Sequence, residues 1–368
     1  MSGQSLMTND KYTFEDLSSK YGDFKVPTYK ITIDGNDLLA AESLLVRELK
    51  IELTCENEAS GCVLEVFGVY DPANRCFDPR IMEKFFQLGK KVSIDIGYIK
   101  TVNVFKGYIS GVVLRMGNEA AGVRVEATDV KGIMMNTRTT GQRTENKLND
   151  VVSSILENQA YNNFCEGTQV DSINTPEKKI EIAGESDFDF LVRLAARINY
   201  EFFVCQGKVY FRKPMPLKAP VISLEWGYNI FSFERRASLE GQVLELEVRS
   251  TDADKGKMIS GIAMSNVQMS KGPSAKKALQ KLKKVVVDSS VGSEQEAQER
   301  AEVLLKKLNR SYVTANIECT GIPEIVPGRF INVKKLGSDL DGDYYVLRVA
   351  HSINESFFST LIEARLGD

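Results

Sequence analysis

The sequence contains one histidine, one tryptophan and no two cysteines spaced as CxxC among its 368 residues. Structural zinc is usually held by cysteine and histidine ligands that come in closely spaced pairs, so a zinc site is not expected. A hydrolase of the Ser-His-Asp or Cys-His type would have His351 as its single available base. Trp226 is the one tryptophan, so a binding site in which sugar rings stack on several tryptophan side chains is also disfavoured.

Neither charge nor hydropathy places the chain in a special class. The 47 basic and 50 acidic residues leave a formal net charge of −3, which gives no sign of specific nucleic-acid binding. No segment approaches the roughly 18 consecutive apolar residues that a membrane span needs. The first residues lack the basic and apolar regions of a secretory signal, so we expect synthesis in a cytoplasm. Free, reduced and mostly buried thiols are expected there at Cys55, Cys62, Cys76, Cys165, Cys205 and Cys319.

Motifs for catalysis and cofactor binding are missing as well. The chain has no GxGxxG, Walker A, HExxH or GxSxG motif. Aspartates at 339, 341 and 343 resemble a calcium loop, but the glycine falls at the fourth position instead of the sixth, and no glutamate closes the loop. His351 lies on an alternating strand pattern, which is typical of a structural histidine. We therefore predict no catalytic, cofactor-binding or metal-binding residue and no cofactor.

A strand pattern occurs twice, in the first and in the last part of the chain. Segments 89–94, 105–109 and 125–127 have counterparts at 328–333, 340–344 and 362–364. The separation along the chain is nearly the same for Gly89 and Gly328, for Gly107 and Gly342, and for Ala127 and Ala364. In both copies a glycine is followed by apolar residues three and five positions later, which is the period of a half-buried strand. Two copies of one small β-module predict two equivalent docking surfaces. The alternative is that two unrelated meanders share the pattern.

The predicted architecture is mainly β with an α+β part. Short strands joined by Gly and Asp turns predict a barrel or sandwich of about 100 residues in the first part of the chain. Helical periodicity at 147–159, at a helix that begins at Ser186 and at 294–308 interrupts the strands. We predict a flexible N-terminal arm (1–22), a first β-module (23–135), an α+β domain (136–215), a second β-module (216–250 and 290–368) and a lysine-rich insertion (251–289).

Three acidic residues, Glu185, Asp187 and Asp189, surround the start of the second helix. They could be read as the paired acids of a glycosidase. Ser186 is, however, a favourable N-cap, and the two aspartates suit the positive end of a helix. We prefer the capping interpretation. Peptidoglycan degradation by these three acids is the alternative function.

The insertion at 251–289 is polar and is predicted to be a loop with a short basic helix. Its lysine run at 276–284 is the one candidate electrostatic site, suited to phosphate or to an acidic partner surface. A solvated face is the commoner meaning of such a run, and it lacks the aromatic residues of single-strand nucleic-acid sites. The lysines of the insertion are Lys255, Lys257, Lys271, Lys276, Lys277, Lys281, Lys283 and Lys284.

Two groups of segments resemble a known family. The first is Asp34-Gly35, Leu88-Gly89, FKGYI at 105–109 and EATD at 126–129; the second is ESDFDFLVRLA at 185–195 with YEFF at 200–203 and GKVYF at 207–211. In order and spacing these segments resemble the baseplate hub proteins of contractile phage tails, the late control protein family. That family is similar to the hub half of type VI secretion spike proteins. The resemblance covers roughly residues 28–368.

The resemblance implies two tube-like β-barrels in each chain, residues 23–135 and residues 216–250 with 290–368. It implies a homotrimer whose six similar barrels form a pseudo-hexameric ring. The function implied is that of a structural, non-enzymatic hub that joins a hexameric tail tube to a trimeric spike. Expected partners are the tube protein, other baseplate proteins, the tape measure protein and a spike. The spike is expected as a separate polypeptide, because the sequence stops at Asp368 without an oligonucleotide-binding-like domain or a β-helical needle.

Several alternatives stay open at this level. A contractile phage, a phage-tail-like bacteriocin and an extracellular injection system would each need such a part, so the protein is expected in a virion or phage-tail-like particle after its synthesis. The residues do not indicate which barrel would face the tube. A surface-binding or glycan-binding β-module is a third class of function.

Overall fold

The computed structural model describes residues 5–40, 44–117, 120–142, 147–173, 181–214, 216–251, 256–265, 273–280, 282–289, 291–310, 312–354 and 357–367. Strands dominate, and helices lie mainly in the middle of the chain and next to a small separate sheet. The fold class is thus mainly β with an α+β part, as the sequence predicts.

The first part of the chain is almost entirely strands. A proline at the first helical position and the Asp78 side chain, which accepts from the Arg80 N–H, begin the short helix α2. The elements are α1 (Phe14–Tyr21), β1 (Thr28–Ile33), β2 (Asn36–Asp37), β3 (Leu45–Thr54), β4 (Gly61–Phe67), β5 (Tyr70–Asp71), β6 (Cys76–Phe77), α2 (Pro79–Phe85), β7 (Lys91–Gly97), β8 (Thr101–Met116) and β9 (Ala121–Thr128).

The middle part forms an α+β unit with its own hydrophobic core. Phe190 and Leu191 on one helix pack with Phe202 and Phe211 on the following hairpin. The elements are α3 (Lys131–Asn136), β10 (Thr139–Gln142), α4 (Leu148–Leu156), α5 (Gln159–Asn162), β11 (Gly167–Val170), β12 (Glu181–Glu185), α6 (Asp187–Ile198), β13 (Glu201–Cys205) and β14 (Lys208–Arg212). The predicted helix at Ser186 and the predicted hairpin are confirmed.

The last part returns to strands and contains the longest described helix. Its elements are β15 (Pro220–Glu225), β16 (Ile230–Ala237), β17 (Glu245–Thr251), β18 (Met258–Met264), α7 (Pro273–Leu279), β19 (Lys283–Val287), α8 (Glu294–Arg310), β20 (Val313–Thr320), β21 (Phe330–Lys334), β22 (Gly342–Asn354) and β23 (Phe358–Leu366). None of the helices in the described ranges combines the length and hydropathy that crossing a bilayer requires.

Thirteen of the described strands form one sheet that passes through both ends of the chain. Their order is β16-β20-β23-β22-β3-β4-β9-β8-β7-β1-β2, and β21 pairs with β22 and with β15. A single core contains buried residues from both halves, such as Leu49 and Ile51 on β3 with Val349 and Ile353 on β22. The two β-modules are therefore joined edge to edge within one hydrogen-bonded sheet.

A small separate layer occupies part of the segment predicted as an insertion loop. Strand β17 pairs with β18 and, in parallel, with β19, and α8 packs on this sheet through a third core. A Cβ atom added at Gly261 would lie 2.2 Å from the Gln298 backbone nitrogen, so the glycine lets the helix backbone approach. The predicted boundary between the second β-module and the insertion, at 250/251, therefore divides this layer. It falls at the end of β17, whereas the partner strands β18 and β19 lie beyond it, after polar segments.

The described part of the N-terminal arm, residues 5–22, is packed where the sequence predicts mobility. Leu17 and Tyr21 on α1 are buried, and Tyr12 forms a bridge with Ile222. The Arg329 guanidinium, itself buried, donates to the carbonyls of Leu6 at 2.9 Å and of Asp10 at 2.8 Å. The sequence pattern did not reveal this docking because its partners lie far along the chain, in the second β-module.

Candidate assembly interface

Two six-strand units repeat the same order within the large sheet. The first unit runs β3-β4-β9-β8-β7-β1 and the second runs β16-β20-β23-β22-β21-β15. The units differ at their last pair, because β1 is antiparallel to β7 whereas β15 is parallel to β21. This shared order supports duplication of one β-module over a chance match of two unrelated meanders.

The long hairpin of each unit carries a bulge at the same place. The β8–β9 register shifts between Ile109 and Gly111, and the β22–β23 register shifts between Val346 and Arg348. Gly111 then pairs with Glu126, as Arg348 pairs with Glu363. Both strands are therefore shifted along the chain by the same amount, which is also the separation of Ala127 from Ala364. Bulges occupy defined positions within related folds, so their coincidence makes the alignment of the two units unambiguous.

The connection into the hairpin is also repeated. Gly89 and Gly328 have φ angles of +83° and +82°, a region that favours glycine. Their N–H groups donate to the carbonyls of Ile109 at 2.8 Å and of Val346 at 2.9 Å. The predicted match of Gly89 with Gly328 is thus confirmed.

The predicted match of Gly107 with Gly342 is wrong. Gly107 pairs with Val92, and the residue that pairs in the same way with Ile331 is Tyr344. Gly342 therefore lies two positions before the residue that corresponds to Gly107. A shared glycine does not mark an equivalent position here, because the backbone pairing sets the register.

One seam joins the two units inside the chain. Residues 348–354 of β22 pair antiparallel with residues 48–54 of β3, and His351 lies opposite Ile51. At the end of this seam the Arg348 guanidinium contacts the carboxylates of Glu56 at 3.2 Å and Glu58 at 2.6 Å. The hydrogen bond and charge of Glu58 raise the pKa of Arg348 further above its ordinary value. A strand seam with an ionic end is thus the contact by which two such units meet.

The seam is formed by β3 of the first unit and β22 of the second. Their counterparts in the opposite units are β16 and β8, and both counterparts carry exposed apolar side chains. Val113, Leu114 and Met116 on β8 are exposed, and Phe231 on β16 is exposed as well. Contiguous exposed apolar groups beside open strand edges are typical of protein–protein contacts.

The sequence pattern of the Alg8 N-terminal domain family matches residues 23–355. The chain belongs to the Alg8 N-terminal domain family. The matched range contains most of both six-strand units and the whole α+β unit. No curated protein matches the sequence.

Solved structures show where else this fold occurs. The chain is similar to the 43 kDa tail protein of prophage MuSo2 from Shewanella oneidensis, with 15% identity, a TM-score of 0.69 and coverage of 92% of this chain and 98% of that one. It is similar to a tail protein from Neisseria meningitidis MC58, with 12% identity, a TM-score of 0.70 and coverage of 92% and 96%. It is also similar to the E. coli c3393 protein, a type VI secretion component described as similar to phage T4 gp27 and gp5, with 10% identity, a TM-score of 0.60 and coverage of 92% and 77%. At these identities the likeness establishes a fold shared with tail proteins.

In this member of the Alg8 N-terminal domain family, each of the three acids near α6 has a structural contact. Glu185 forms a two-contact ion pair with Arg193, at 2.5 and 3.1 Å. Asp187 is buried and accepts from the Tyr161 hydroxyl at 2.5 Å. Asp189 accepts from the hydroxyl of Ser186, whose oxygen in turn caps the Asp189 N–H. The capping interpretation is confirmed for Ser186.

His351 lies in the seam and is fully buried. Its Nδ1 is 3.0 Å from the Thr360 hydroxyl, and its ring meets that of Phe358 edge-on. Burial lowers the pKa of His351 to about 3, so the ring is neutral at physiological pH. A histidine in this setting fills a core position.

One described lysine of the insertion, Lys283, is held in ion pairs. The Lys283 ammonium contacts the carboxylates of Glu245 and Glu247 at 2.8 Å each across the β17–β19 pair. Lys255, Lys271 and Lys281, and the side chain of Lys276, lie outside the described residues. Within the described ranges, no group of three or more potential ligands could hold a metal ion.

Sequence reasoning missed a buried polar contact between the α+β unit and the second six-strand unit. The Tyr345 hydroxyl on β22 donates to Glu201 at 2.6 Å, and Arg212 lies 3.4 Å from the same carboxylate. Arg212 also donates to the Gly328 carbonyl at 2.8 Å. Burial raises the pKa of Glu201 above its ordinary value. The signal in the sequence was an acidic residue and a basic residue at the two ends of a largely apolar hairpin, and its meaning became clear only from the position of β22 next to that hairpin.

Proposed function

We propose that this chain is the structural baseplate hub of a contractile tail or injection machine, in which a homotrimer joins a hexameric tail tube to a trimeric spike. The observation that supports this most directly is the repeated six-strand unit with matching bulges. With two equivalent units in each chain, a trimer would present six similar units, while the trimer as a whole would have threefold symmetry. Such an assembly fits a sixfold neighbour on one side and a threefold neighbour on the other.

The proposed domain organisation follows the repeat. We assign residues 23–135 and residues 216–250 with 290–368 to two tube-like β-barrels of the ring, and residues 136–215 to the α+β domain. The seam between β3 and β22 would then be one of six similar contacts around the tube axis. Proposed partners are the tail tube protein, a separate spike protein, other baseplate proteins and the tape measure protein.

Similarity of fold to known tail proteins supports the same assignment as a structural hub. The similar proteins of Shewanella oneidensis and Neisseria meningitidis are tail proteins, and the E. coli protein is a component of the type VI secretion system. A protein of this kind is expected in the assembled particle after its synthesis in a cytoplasm.

The oligomeric state tests the proposal. Light scattering on the purified full chain is expected to give three times the mass of one chain, and an image of the intact particle is expected to place the trimer between tube and spike. A stable monomer that binds neither tube protein nor spike protein would contradict the hub role.

We further propose that the chain has no enzymatic activity. The alternative of peptidoglycan degradation by Glu185, Asp187 and Asp189 is tested by a zymogram with the purified chain, together with its Glu185→Gln variant. No clearing is expected from either protein. Clearing that disappears in the variant would establish the hydrolase instead.

A further inference from the structure

The distal half of β8 has an open edge where its counterpart has a partner strand. Within the described residues, β7 covers one side of β8 from Thr101 to Tyr108, and β9 covers the other side as far as Met116. On β22, β21 covers the corresponding first side only as far as Tyr345, and β3 then continues along 348–354. Residues 111–116 of β8 thus correspond to the seam-forming part of β22, but on the side opposite β9 the described residues place no strand next to them.

The counterpart of β3 has an open edge as well. Strand β3 pairs with β4 on one side and with β22 on the other. Strand β16 pairs with β20 in the same way, including a bulge between Ile230 and Ser232 that matches the one between Val46 and Glu48. Apart from a single bridge at Ile230, the described residues place no paired strand along the other side of β16. The unit therefore lacks the neighbour that β3 has.

The accessibility of equivalent residues differs as a missing neighbour would predict. Leu114 and Met116 on β8 are 50% and 68% exposed. The bulge alignment makes His351 and Ile353 on β22 their counterparts, and these are 0% and 2% exposed. Large apolar side chains thus lie in solvent on β8 at the positions that the internal seam buries on β22.

We propose that residues 112–116 of β8 in one copy of this chain pair antiparallel with residues 233–237 of β16 in a second copy, and that this contact repeats the internal seam. In the described part of one chain these two strands are separated by six strands of the sheet and do not pair with each other. The proposal deepens the hub assignment and rests on it, since it names the surface that would hold the trimer together.

The register of the new seam follows from the internal one. In the β22–β3 pair, Arg348 opposes Thr54 and Ile353 opposes Leu49. The matched bulges place Gly111 of β8 at the position of Arg348, and Ser232 of β16 at the position of Glu48. The transfer sets Val113 opposite Arg236, Arg115 opposite Glu234 and Met116 opposite Phe233 of the second copy.

The chemistry of these pairs is complementary. Arg115 and Glu234 carry opposite charges at directly opposed positions, and the Met116 thioether would meet the Phe233 ring, a favourable sulfur–aromatic contact. The contact is head-to-tail, with different strands on the two sides, so it forms a closed ring when its rotation matches that of the internal seam. Three internal and three intermolecular seams would then alternate around one ring.

Cysteine cross-linking tests the register. In a background in which the exposed Cys76 is replaced by serine, the Val113→Cys/Arg236→Cys double variant is expected to form a disulfide-linked ring of three chains on a non-reducing gel. Opposed Cβ atoms in antiparallel strands are about 5 Å apart, which is close to disulfide geometry. The matched control, Val113→Cys/Glu234→Cys, shifts the pair by two positions, or about 7 Å along the strand, and should cross-link weakly.

The outcomes separate this inference from the hub proposal. A trimer by light scattering without in-register cross-links, or with equal cross-linking in the control, would overturn the seam and leave the trimer in place. A wild-type chain that stays monomeric would overturn both. A ladder of cross-linked species beyond three chains would support the strand pairing and contradict ring closure.

Charge reversal gives a second test that does not depend on disulfide geometry. Arg115→Glu and Glu234→Arg are each expected to raise the midpoint concentration of trimer dissociation by about fivefold or more, and the double variant is expected to recover most of the loss. Arg115 also pairs with Glu65 of its own chain at 2.9 Å, and the second substitution cannot restore that contact. Recovery in the double variant would therefore report the intermolecular pair, whereas additive losses would contradict it.

Discussion

Acidification should destabilise the fold through its one histidine. His351 is fully buried, and burial lowers its pKa from an ordinary 6.5 to about 3. Below pH 6.5 the His351 imidazole is therefore protonated in the unfolded chain, whereas in the folded chain it stays neutral until the pH approaches 3. The stabilisation due to this group is complete above pH 6.5 and is lost as the pH falls towards the folded pKa.

The size of the effect follows from the two pKa values. At pH 5 the unfolded imidazole is almost fully protonated and the folded one is not, so the linkage costs about 2 kcal/mol of unfolding free energy relative to pH 7. Replacement of His351 by glutamine should remove this part of the pH dependence. His351→Leu should remove it too, whatever its absolute stability.

Urea unfolding at pH 7 and pH 5, at one protein concentration, measures the effect. The difference between the two pH values should be about 2 kcal/mol larger for the natural sequence than for either variant. Carboxyl groups whose pKa burial raises, such as those of Asp129 and Glu201, are present in all three proteins and cancel in the comparison. Equal pH dependence in the three proteins would refute the buried, neutral assignment of His351.

Two further substitutions test contacts that the sequence did not reveal. Leu17→Ala should cost about 2–4 kcal/mol of unfolding free energy because the side chain is buried in the core. The control Leu88→Ala, at an exposed position, should cost less than about 0.5 kcal/mol. Equal small losses in urea unfolding would mean that the N-terminal arm is mobile. Gly328→Ala should cost about 1–3 kcal/mol more unfolding free energy than Gly241→Ala, although both glycines have positive φ. The reason is that an added Cβ at Gly328 would lie 2.5 Å from the Arg212 guanidinium and disturb its buried hydrogen bond. Nearly equal losses of unfolding free energy would show that the guanidinium moves aside freely.

Local patterns of the sequence were sufficient for many elements. The apolar stripe after Ser186 and the cap itself predict α6, and alternation predicts the β13–β14 hairpin on either side of Gln206-Gly207. The nearly constant separation of the repeated segments, such as 89–94 from 328–333, indicates the duplicated module before any strand pairing is known. These features depend on contacts between residues close in sequence, and such contacts leave a periodic signal.

Contacts between distant segments were outside the reach of such patterns. The docking of Tyr21 against Glu324, with a hydroxyl-to-carboxylate distance of 2.7 Å, joins the two ends of the chain. The β17–β18–β19 layer was divided by a predicted boundary because its strands are short, and polar segments separate them. A one-dimensional pattern records which face of a strand is apolar, and it does not record which strand lies alongside.

The amino-acid sequence by itself determined the β-rich class, the capped helices, the absence of recognisable catalytic motifs and the presence of a repeated module. The tertiary structure alone decided that the two modules share one sheet through β3 and β22, and that β8 and β16 keep open edges in the described part of the chain. The physical reason is that strand identity is written in local alternation, whereas the choice of neighbour depends on edges brought together by the whole fold.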